Sequence, residues 1–268
     1  MANLVFIGGG NMASAILGGL VTSGTPASSV LVVEPFQAQR DRLHRDFGVA
    51  TLAQADASIG GAELVVWAVK PQLFASAAAP CAAHVGGALH LSVMAGIRSD
   101  TLARTLATER IVRAMPNTPA LIGQGIAGLY ARAAVRPDER ERVERLLAPT
   151  GRTLWVGREE DLDAVTALSG SGPAYVFYVI EAMVEAAVAM GLSAEQGKAL
   201  TLATLAGATA LAQSSADPPA LLRERVTSKG GTTDAALQTL EAGHVKAIFI
   251  AAMQAAQRRA RTLGDEFG

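Results

Sequence analysis

Cysteine and histidine are scarce in this chain of 268 residues. Cys81 is the single cysteine, so an internal disulfide is excluded. The histidines are His44, His84, His90 and His244, and they are scattered without the spacing of metal ligands. We therefore predict a metal-free site.

Charge and aromatic side chains are also limited. The chain carries 23 Lys and Arg against 24 Asp and Glu, and only 4% of its residues are aromatic. No basic stretch would follow a phosphate backbone, so we expect no nucleic-acid partner. Half of the residues are hydrophobic, which fits a globular protein of one large or two smaller domains. No basic segment precedes the first apolar run, so we expect a cytoplasmic protein and not a secreted one.

One apolar stretch, residues 174–192, is long enough to cross a bilayer. Glu181 and Glu185 lie four residues apart on one helical face of it, where hydrocarbon would make them costly. A helix that is apolar nearly all round is instead typical of a core or an oligomer interface. We predict an interface and no membrane span.

A turn of three glycines follows an apolar strand near the start of the chain and leads into a helical pattern. Gly8 would permit a tight turn, Gly10 a close approach of backbone to a pyrophosphate, and Ala13 close packing of helix and strand. The helix, predicted from Asn11 to about residue 20, would direct its free N–H groups, including that of Met12, at phosphate. A chance glycine turn is the alternative, but the flanking strand and helix favour a dinucleotide site.

Strand patterns alternate with helical ones in the first part of the chain. The predicted strands are residues 4–7, 30–33, 64–69, 90–93, 111–114, 126–130 and 153–156. They are rich in Val, Ile and Leu, as in a parallel sheet covered on both faces. Beyond residue 160 only helical patterns follow, broken at residues 170–173, 191–193, 217–219 and 229–231. The pattern indicates an α/β protein with a Rossmann domain of parallel strands at 1–160 and an all-helical dimerisation and substrate domain at 161–268.

Glu34 closes the second strand about twenty residues after the glycine turn. An acid at this position can accept hydrogen bonds from the ribose hydroxyls of the adenosine half, which favours NADH. Arg40 and Arg42 follow on the next helix and would suit the 2′-phosphate of NADPH, although Glu34 would repel it. Alternatively, Glu34 only caps the turn at Pro35. The choice between NADP and NAD stays open.

Four more residues follow strands of the predicted sheet. Val69 and Lys70 end the third long strand, and Ala95 and Asn117 come after the next two. Ligands of open α/β sheets bind outside the carboxyl ends of strands, so we predict that these residues contact the cofactor. As alternatives, Lys70 is a solvated lysine before a turn, and Asn117 only satisfies backbone groups near the prolines beside it.

The chain resembles the pyrroline-5-carboxylate reductase family from end to end. The resemblance rests on the glycine turn, on residues 68–72, 94–97 and 115–119, and above all on Leu-Ser-Gly-Ser-Gly-Pro-Ala-Tyr at 168–175 and Val-Thr-Ser-Lys-Gly-Gly-Thr-Thr at 226–233. It implies NAD(P)H-dependent reduction of 1-pyrroline-5-carboxylate to L-proline by a cytoplasmic homo-oligomer built on helical dimers. Many bacterial relatives carry Asn-Arg after the second strand and prefer NADPH, whereas this chain has Glu34-Pro35 there.

The chemistry of the last motif agrees with this resemblance. Reduction of a C=N bond needs a hydride donor and a proton for nitrogen, but no covalent nucleophile. Thr232 and Thr233 follow two glycines and begin a helix, whose free N–H groups would hold a carboxylate. Ser228 and Thr233 add hydroxyl donors. N-capping by threonine is the alternative.

The resemblance also implies individual roles. The Thr233 hydroxyl would face the ring nitrogen, and Ser228 with the backbone of Gly231 and Thr232 would lie along the substrate carboxylate. Glu160 would approach the ring nitrogen as a second catalytic residue. Alternatively, Glu160 belongs to a solvated acidic first turn of a helix.

Two other function classes are compatible with a Rossmann domain followed by helices. A 3-hydroxyacid dehydrogenase of the same build would carry a lysine on the long helix after the domain junction, and this chain has none there before Lys198. A non-catalytic nucleotide sensor would bind the cofactor without turnover.

Overall fold

The structure, a computed structural model, describes residues Asn3–Phe267. The chain divides into two compact units. The first comprises Met1–Ser171 together with Ala255–Gly268, and the second comprises Gly172–Gln254. The boundary between these packing units follows Ser171. The boundary between functional domains at residue 160 stays a prediction.

Within the described residues, the first unit is built on eight strands. They are β1 Leu4–Ile7, β2 Val30–Val33, β3 Ala50–Leu52, β4 Leu64–Trp67, β5 Leu89–Ser92, β6 Ile111–Met115, β7 Gly125–Ala131 and β8 Gly151–Trp155. They form one sheet in the order β3-β2-β1-β4-β5-β6-β7-β8. This order confirms the Rossmann-type α/β class, and each predicted strand is present with small shifts of its ends. The sequence pattern does not predict β3, which has three residues and is not fully buried.

The sheet is parallel, as predicted, at every pair of described strands except one: β6 and β7 run antiparallel. Residues 116–124 join these two strands and contain only the short 3₁₀ turn Thr118–Ile122. A parallel connection needs a dozen or more residues, usually with a helix, so this link turns the chain straight back. The helix between β7 and β8 then restores the parallel direction.

Helices cover both faces of the sheet. In the first unit they are α1 Asn11–Thr22, α2 Gln37–Phe47, α3 Phe74–Ala78, α4 Ala82–Val85, α5 Ser99–Leu106, α6 Pro137–Leu147 and α7 Asp161–Val165, and a π-helical turn follows at Thr166–Gly170. On one face, Phe6 and alternate strand residues pack with Ile16 and Leu17 of α1. On the other, Ile7 and its neighbours pack with Leu102 of α5. Two buried faces explain why the strands read as continuous apolar runs.

His90 is a fully buried polar side chain of the second of these cores. The Trp67 indole donates a hydrogen bond to its Nδ1 at 3.0 Å, so the ring proton is on Nε2, which lies 3.2 Å from the Val85 carbonyl oxygen. Burial lowers the pKa of His90 to about 4. The imidazole is therefore neutral and fully hydrogen-bonded at neutral pH.

The second unit is helical throughout. Its helices are α8 Gly172–Ala189, α9 Ala194–Ser214, α10 Pro219–Arg225 and α11 Thr232–Ala242, and α12 Val245–Glu266 begins in it. The predicted helix breaks coincide with the π-helical turn and with the loops between these helices. Only Ala187, Gly197 and Thr201 are buried among residues 172–254.

Large apolar side chains lie exposed along the helices of the second unit. They include Val176, Phe177 and Tyr178 on α8, Leu200 and Leu211 on α9, and Ile248 and Ile250 on α12. By length and composition alone, the run Asp161–Ala189 would cross a membrane, a test that helices of soluble proteins also pass. Glu181 and Glu185 lie exposed on that run. Apolar surface of this extent marks an interaction site.

Candidate active site

The glycine turn after β1 lies between the carboxyl ends of β2 and β4. Gly8 donates to the Val33 carbonyl at 2.8 Å, and Ala68 donates to the Ile7 carbonyl at 2.8 Å. Gly8 has φ +96°, and a Cβ there would lie 2.7 Å from the Ala68 carbonyl oxygen and 2.9 Å from Val69 Cγ1. Only glycine fits this position.

Gly10 is exposed and is the N-cap of α1, without a side-chain hydrogen bond to the helix. An added Cβ would meet nothing within 4 Å, and the first turn of α1 has no acidic residue. The N–H groups of Asn11, Met12 and Ala13 are the first of the helix and have no partner within the described chain. This open helix N-terminus fits a pyrophosphate.

Glu34 is buried and is bonded to backbone through both carboxylate oxygens. Oε2 accepts from the Gly9 N–H at 2.9 Å, and Oε1 accepts from the Phe36 N–H at 3.0 Å. Glu34 therefore caps the turn at Pro35, as the alternative states. The same carboxylate also holds the glycine turn after β1. A contact with ribose stays a prediction.

Gln39 also holds the glycine turn, a role that the sequence does not predict. Its side-chain amide donates to the Gly9 carbonyl, so the peptide groups of Gly9 are bonded on one side by Glu34 and on the other by Gln39. No motif marks a glutamine on α2, and only the packing of α2 beside the turn reveals this role.

The two arginines predicted for a 2′-phosphate have partners in the structure. Arg40 donates through Nη1 to the Glu34 and Pro35 carbonyls, at 2.8 and 2.7 Å, and through Nη2 to the Gln37 side chain. Arg42 pairs with Asp46, one turn further along α2. Arg40 thus lies over the β2–α2 turn, and Arg42 is directed along the helix.

The other predicted cofactor residues follow neighbouring strands. Val69 packs against Gly8, since a Cβ added at Gly8 would lie 2.9 Å from Val69 Cγ1. Lys70 is exposed at the start of the 3₁₀ turn Pro71–Leu73. Ala95 is half-buried in the loop between β5 and α5. The sheet order brings the ends of β1, β4 and β5 side by side. Contacts of these residues with the cofactor stay predictions.

Asn117 joins two backbone segments of the first unit. Its Nδ2 donates to the Ser169 carbonyl at 3.2 Å, and its Oδ1 accepts from the Ile126 N–H at 3.0 Å. Ser169 lies in the π-helical turn, where Ser171 N–H bonds to the Thr166 carbonyl at 2.8 Å. This arrangement agrees with the backbone-satisfying alternative, and a cofactor contact of Asn117 stays a prediction.

The predicted substrate residues are close in sequence: Ser228 and Gly231 lie in the loop between α10 and α11, and Thr232 and Thr233 begin α11. Gly230, at φ +74°, donates its N–H to Asp234 Oδ2 at 2.9 Å, and Gly231 donates to the Ser228 carbonyl at 3.0 Å. Gly231 is the N-cap of α11, so the N-capping alternative is wrong for Thr232 and Thr233. The Thr233 side chain is exposed and makes no hydrogen bond within the described residues.

Glu160 borders a charged cavity of about 680 Å³ within the first unit. Its exposed carboxylate has no hydrogen bond or ion pair within the described chain, whereas its neighbour Asp161 pairs with Arg158 at 2.6 Å. The solvated-turn alternative and the catalytic role both agree with this placement, so the role stays a prediction.

Buried ion pairs beside Glu160 were missed from the sequence. Glu159 pairs with buried Arg113 at 2.6 Å and accepts from the Ser99 N–H at 2.6 Å. Arg98 binds Asp163 through two hydrogen bonds of 3.1 and 2.9 Å. These pairs join α5 and β6 to α7.

Among residues Asn3–Phe267 there is no group of three His, Cys, Asp or Glu side chains that could hold a metal ion. Burial raises the pKa of the Cys81 thiol to about 11. Cys81 is therefore a protonated core side chain at neutral pH and not a nucleophile.

Comparison with known proteins assigns the family. A model described as pyrroline-5-carboxylate reductase dimerisation matches residues 159–263, and one described as coenzyme F420-dependent NADP oxidoreductase matches residues 3–96. The pyrroline-5-carboxylate reductase of Pseudomonas aeruginosa is 40% identical over 267 residues, 99% of this chain and 98% of that protein. This chain belongs to the pyrroline-5-carboxylate reductase family.

Solved structures of pyrroline-5-carboxylate reductases share the whole architecture. The Coxiella burnetii protein is 35% identical with a TM-score of 0.91, and 98% of each chain is covered. The Plasmodium falciparum protein, solved with NADP bound, is 27% identical with a TM-score of 0.88 over 98% of each chain. These matches confirm the predicted family, fold class and oxidoreductase class. The dimerisation match indicates homo-oligomerisation through the helical part of the chain.

Proposed function

We propose that the protein catalyses the NAD(P)H-dependent reduction of 1-pyrroline-5-carboxylate to L-proline, the last step of proline biosynthesis. The observation that carries the proposal is the match to a pyrroline-5-carboxylate reductase over 99% of the chain. The open helix N-terminus behind Gly10 and the Val-Thr-Ser-Lys-Gly-Gly-Thr-Thr motif at 226–233 support it.

We assign cofactor binding to the first unit. The N–H groups of Asn11, Met12 and Ala13 would bind the pyrophosphate, with Gly8 and Gly10 keeping the approach free of side chains. Glu34 would accept hydrogen bonds from the adenosine ribose while it keeps the glycine turn in place. Val69, Lys70, Ala95 and Asn117 would border the nicotinamide half. The reduced nicotinamide supplies the hydride when bound, which leaves binding, orientation and proton supply to the protein.

We assign substrate binding to the loop between α10 and α11. The free N–H groups at the start of α11, from Thr232 onward, would hold the carboxylate, and the Ser228 hydroxyl would donate to it. The Thr233 hydroxyl makes no hydrogen bond to the described protein groups and would donate one to the imine nitrogen. Glu160 is the further candidate for proton supply.

We propose that a second copy of the chain covers the apolar faces of α8, α9 and α12. These helices bury almost nothing within their own unit, and the dimerisation model matches this region. The exposed Glu181 and Glu185 oppose a membrane span. Sedimentation analysis should therefore give a dimer or a larger assembly of dimers, without detergent. The cytoplasmic location stays a prediction, tested by fractionating cells that express the tagged chain.

One assay tests the reaction against its alternatives. Purified protein is mixed with NADH or NADPH and 1-pyrroline-5-carboxylate, and absorbance at 340 nm is followed while proline is measured by chromatography. Oxidation of the cofactor with matching formation of proline supports the proposal. Cofactor binding without turnover would instead indicate a nucleotide sensor. A 3-hydroxyacid dehydrogenase is disfavoured because α8 carries no lysine.

A further inference from the structure

The loop between β5 and α5, residues 93–98, is held on both sides of Ala95. Met94 and Ile97 are 3% and 2% exposed, and both pack in the second of the two cores of the first unit. Ala95 itself is half-buried and is the residue of this loop that we assign to the nicotinamide half of the cofactor. The backbone around Ala95 is therefore fixed from the side of the core.

The end of α12, residues 263–267, packs against the same loop. Gly96 has a left-handed φ of +78°, and a Cβ there would lie 3.2 Å from Phe267 Cδ2 and 3.4 Å from Leu263 Cβ. Phe267 is partly buried against the same core and donates its N–H to the Leu263 carbonyl at 3.2 Å. The residue that follows Ala95 therefore lies against the Phe267 ring.

Arg98 fastens the last part of the loop to two helices. Its guanidinium donates to both carboxylate oxygens of Asp163 on α7, at 3.1 and 2.9 Å. It also passes over the buried Gly264 of α12, where an added Cβ would lie 2.5 Å from Nη2 and 2.6 Å from Cζ. Because packed atoms cannot approach so closely, only a residue without a side chain leaves room for the guanidinium here.

We propose that the end of α12 positions the β5–α5 loop for the nicotinamide half of the cofactor. The inference rests on the proposed function, which supplies the cofactor. Phe267 supports Gly96 and Gly264 admits Arg98, so both act through the loop as positioning residues for Ala95. Hydride transfer depends on where the donor lies, and a misplacement of about 1 Å costs roughly a hundredfold in rate.

Phe267→Ala tests this role, and Phe267→Leu is its conservative counterpart. For Phe267→Ala we expect kcat with the preferred cofactor, NADH or NADPH, to fall about tenfold, and the Kd for that cofactor to rise about fivefold. The Kd for ADP-ribose should keep its native value, because this probe contains the adenine, both riboses and the pyrophosphate but no nicotinamide. Phe267→Leu keeps apolar packing against Gly96 and should restore most of the kcat.

Glu266→Ala is the matched control, since the exposed Glu266 carboxylate pairs with Arg259 at 2.6 Å at the same end of α12. It should leave kcat and both Kd values unchanged. A native kcat in Phe267→Ala would overturn the inference. A lower thermal midpoint with equal rises in the two Kd values would also overturn it, because the Phe267 contact would then only stabilise the fold.

A double-mutant cycle tests the contact between Gly264 and Arg98. Gly264→Ala should lower kcat because its methyl group displaces the guanidinium. In an Arg98→Ala background, where the guanidinium is absent, the same methyl group should cause no further loss. An equal loss in both backgrounds would overturn the role of Gly264. The Phe267 variants leave the Arg98–Asp163 pair intact, so they decide the inference even if Arg98→Ala does not fold.

The outcomes for the native protein separate this inference from the proposed function. Native protein that binds neither the reduced cofactors nor ADP-ribose would overturn both. Native protein that binds the cofactor but forms no proline would overturn the proposed reaction only, and the two Kd values of Phe267→Ala would then decide the positioning.

Discussion

The absence of a side chain has two different consequences at Gly8 and Gly10. Gly8 adopts a left-handed φ of +96° against the Ala68 carbonyl, whereas Gly10 has an ordinary φ of −69° and faces open space. A side chain at Gly8 would therefore strain the fold, and one at Gly10 would only fill the space predicted for the pyrophosphate.

We predict that Gly10→Val abolishes measurable NADH binding while its thermal midpoint stays near that of the native protein. Gly8→Val should instead lower the midpoint strongly or prevent folding. Calorimetry and thermal unfolding of the two variants distinguish these effects. Native affinity for NADH in Gly10→Val would show that the pyrophosphate binds elsewhere.

Glu34 would carry a negative charge to the predicted place of the adenosine ribose, where the two cofactors differ. We predict that the native enzyme uses NADH at least as well as NADPH, because a 2′-phosphate would be repelled there. Glu34→Gln, which keeps one acceptor oxygen for the turn, should shift the preference toward NADPH by about 1–2 kcal/mol. The ratio of kcat/KM values for the two cofactors measures this shift. A hundredfold native preference for NADPH would mean that Arg40 leaves the turn to bind the phosphate.

The Thr233 hydroxyl has no hydrogen bond to the described part of the chain and is not the cap of α11, so its loss should affect chemistry more than stability. We predict that Thr233→Ala lowers kcat roughly a hundredfold, the scale of one positioned proton donor, and leaves NADH affinity and the thermal midpoint unchanged. Thr232→Ala is the matched control, because only the backbone of Thr232 is assigned to the substrate. If Thr233→Ala kept a kcat as close to the native value as Thr232→Ala does, Thr233 would have no part in the mechanism.

At the scale of elements, buried charges fasten α7 to the rest of the first unit. Glu159 neutralises Arg113, whose side chain is 7% exposed, and also binds the N–H at the start of α5. A buried pair of this kind is strongly destabilised when one partner is removed, because the other charge stays behind unpaired.

We predict that Glu159→Ala lowers the free energy of unfolding by about 3–5 kcal/mol. The matched control is Glu109→Ala, which breaks the ion pair of Glu109 with Arg132. The Glu109 side chain is 61% exposed, so its loss should lower the free energy of unfolding by at most about 1 kcal/mol. Urea unfolding at one protein concentration compares the two. Equal losses would show that Arg113 finds water or another partner. Glu160→Ala should cost little stability, so any fall in its kcat can be assigned to catalysis.

At the scale of the whole molecule, one buried histidine makes stability depend on pH. The pKa of His90 is about 4 in the folded protein, against 6.5 for an ordinary histidine. The unfolded chain therefore takes up the proton first as the pH falls. Stability is unaffected by His90 above pH 6.5, declines from there to pH 4, and is then lower by up to about 3 kcal/mol.

Unfolding by urea at pH 7 and at pH 5 measures this decline. His90→Gln, whose amide oxygen still accepts from the Trp67 indole, should show a smaller loss between the two pH values. An equal loss in the variant would assign the acid sensitivity to other groups.

The assembly is also decided at this scale. The second unit leaves apolar side chains of α8, α9 and α12 in solvent, and an isolated chain has no means of covering them. The hydrophobic effect favours association of such a surface, and the proposed second copy on these helices would explain why the apolar 174–192 stretch resembles a membrane helix in composition.

The amino-acid sequence by itself determined the fold class and the family, whereas its site residues stay predictions. Residues 4–13 predict a strand, a turn and a helix because each depends on residues close together in the sequence. The motifs at 168–175 and 226–233 identify the family. Only the tertiary structure decided the antiparallel β6–β7 pair, the bonds of Glu34 and Gln39 to Gly9, the Asn117 bridge and the charges that bind α7. These features join residues that are distant along the chain, and the packing of helices on the sheet determines which of them meet.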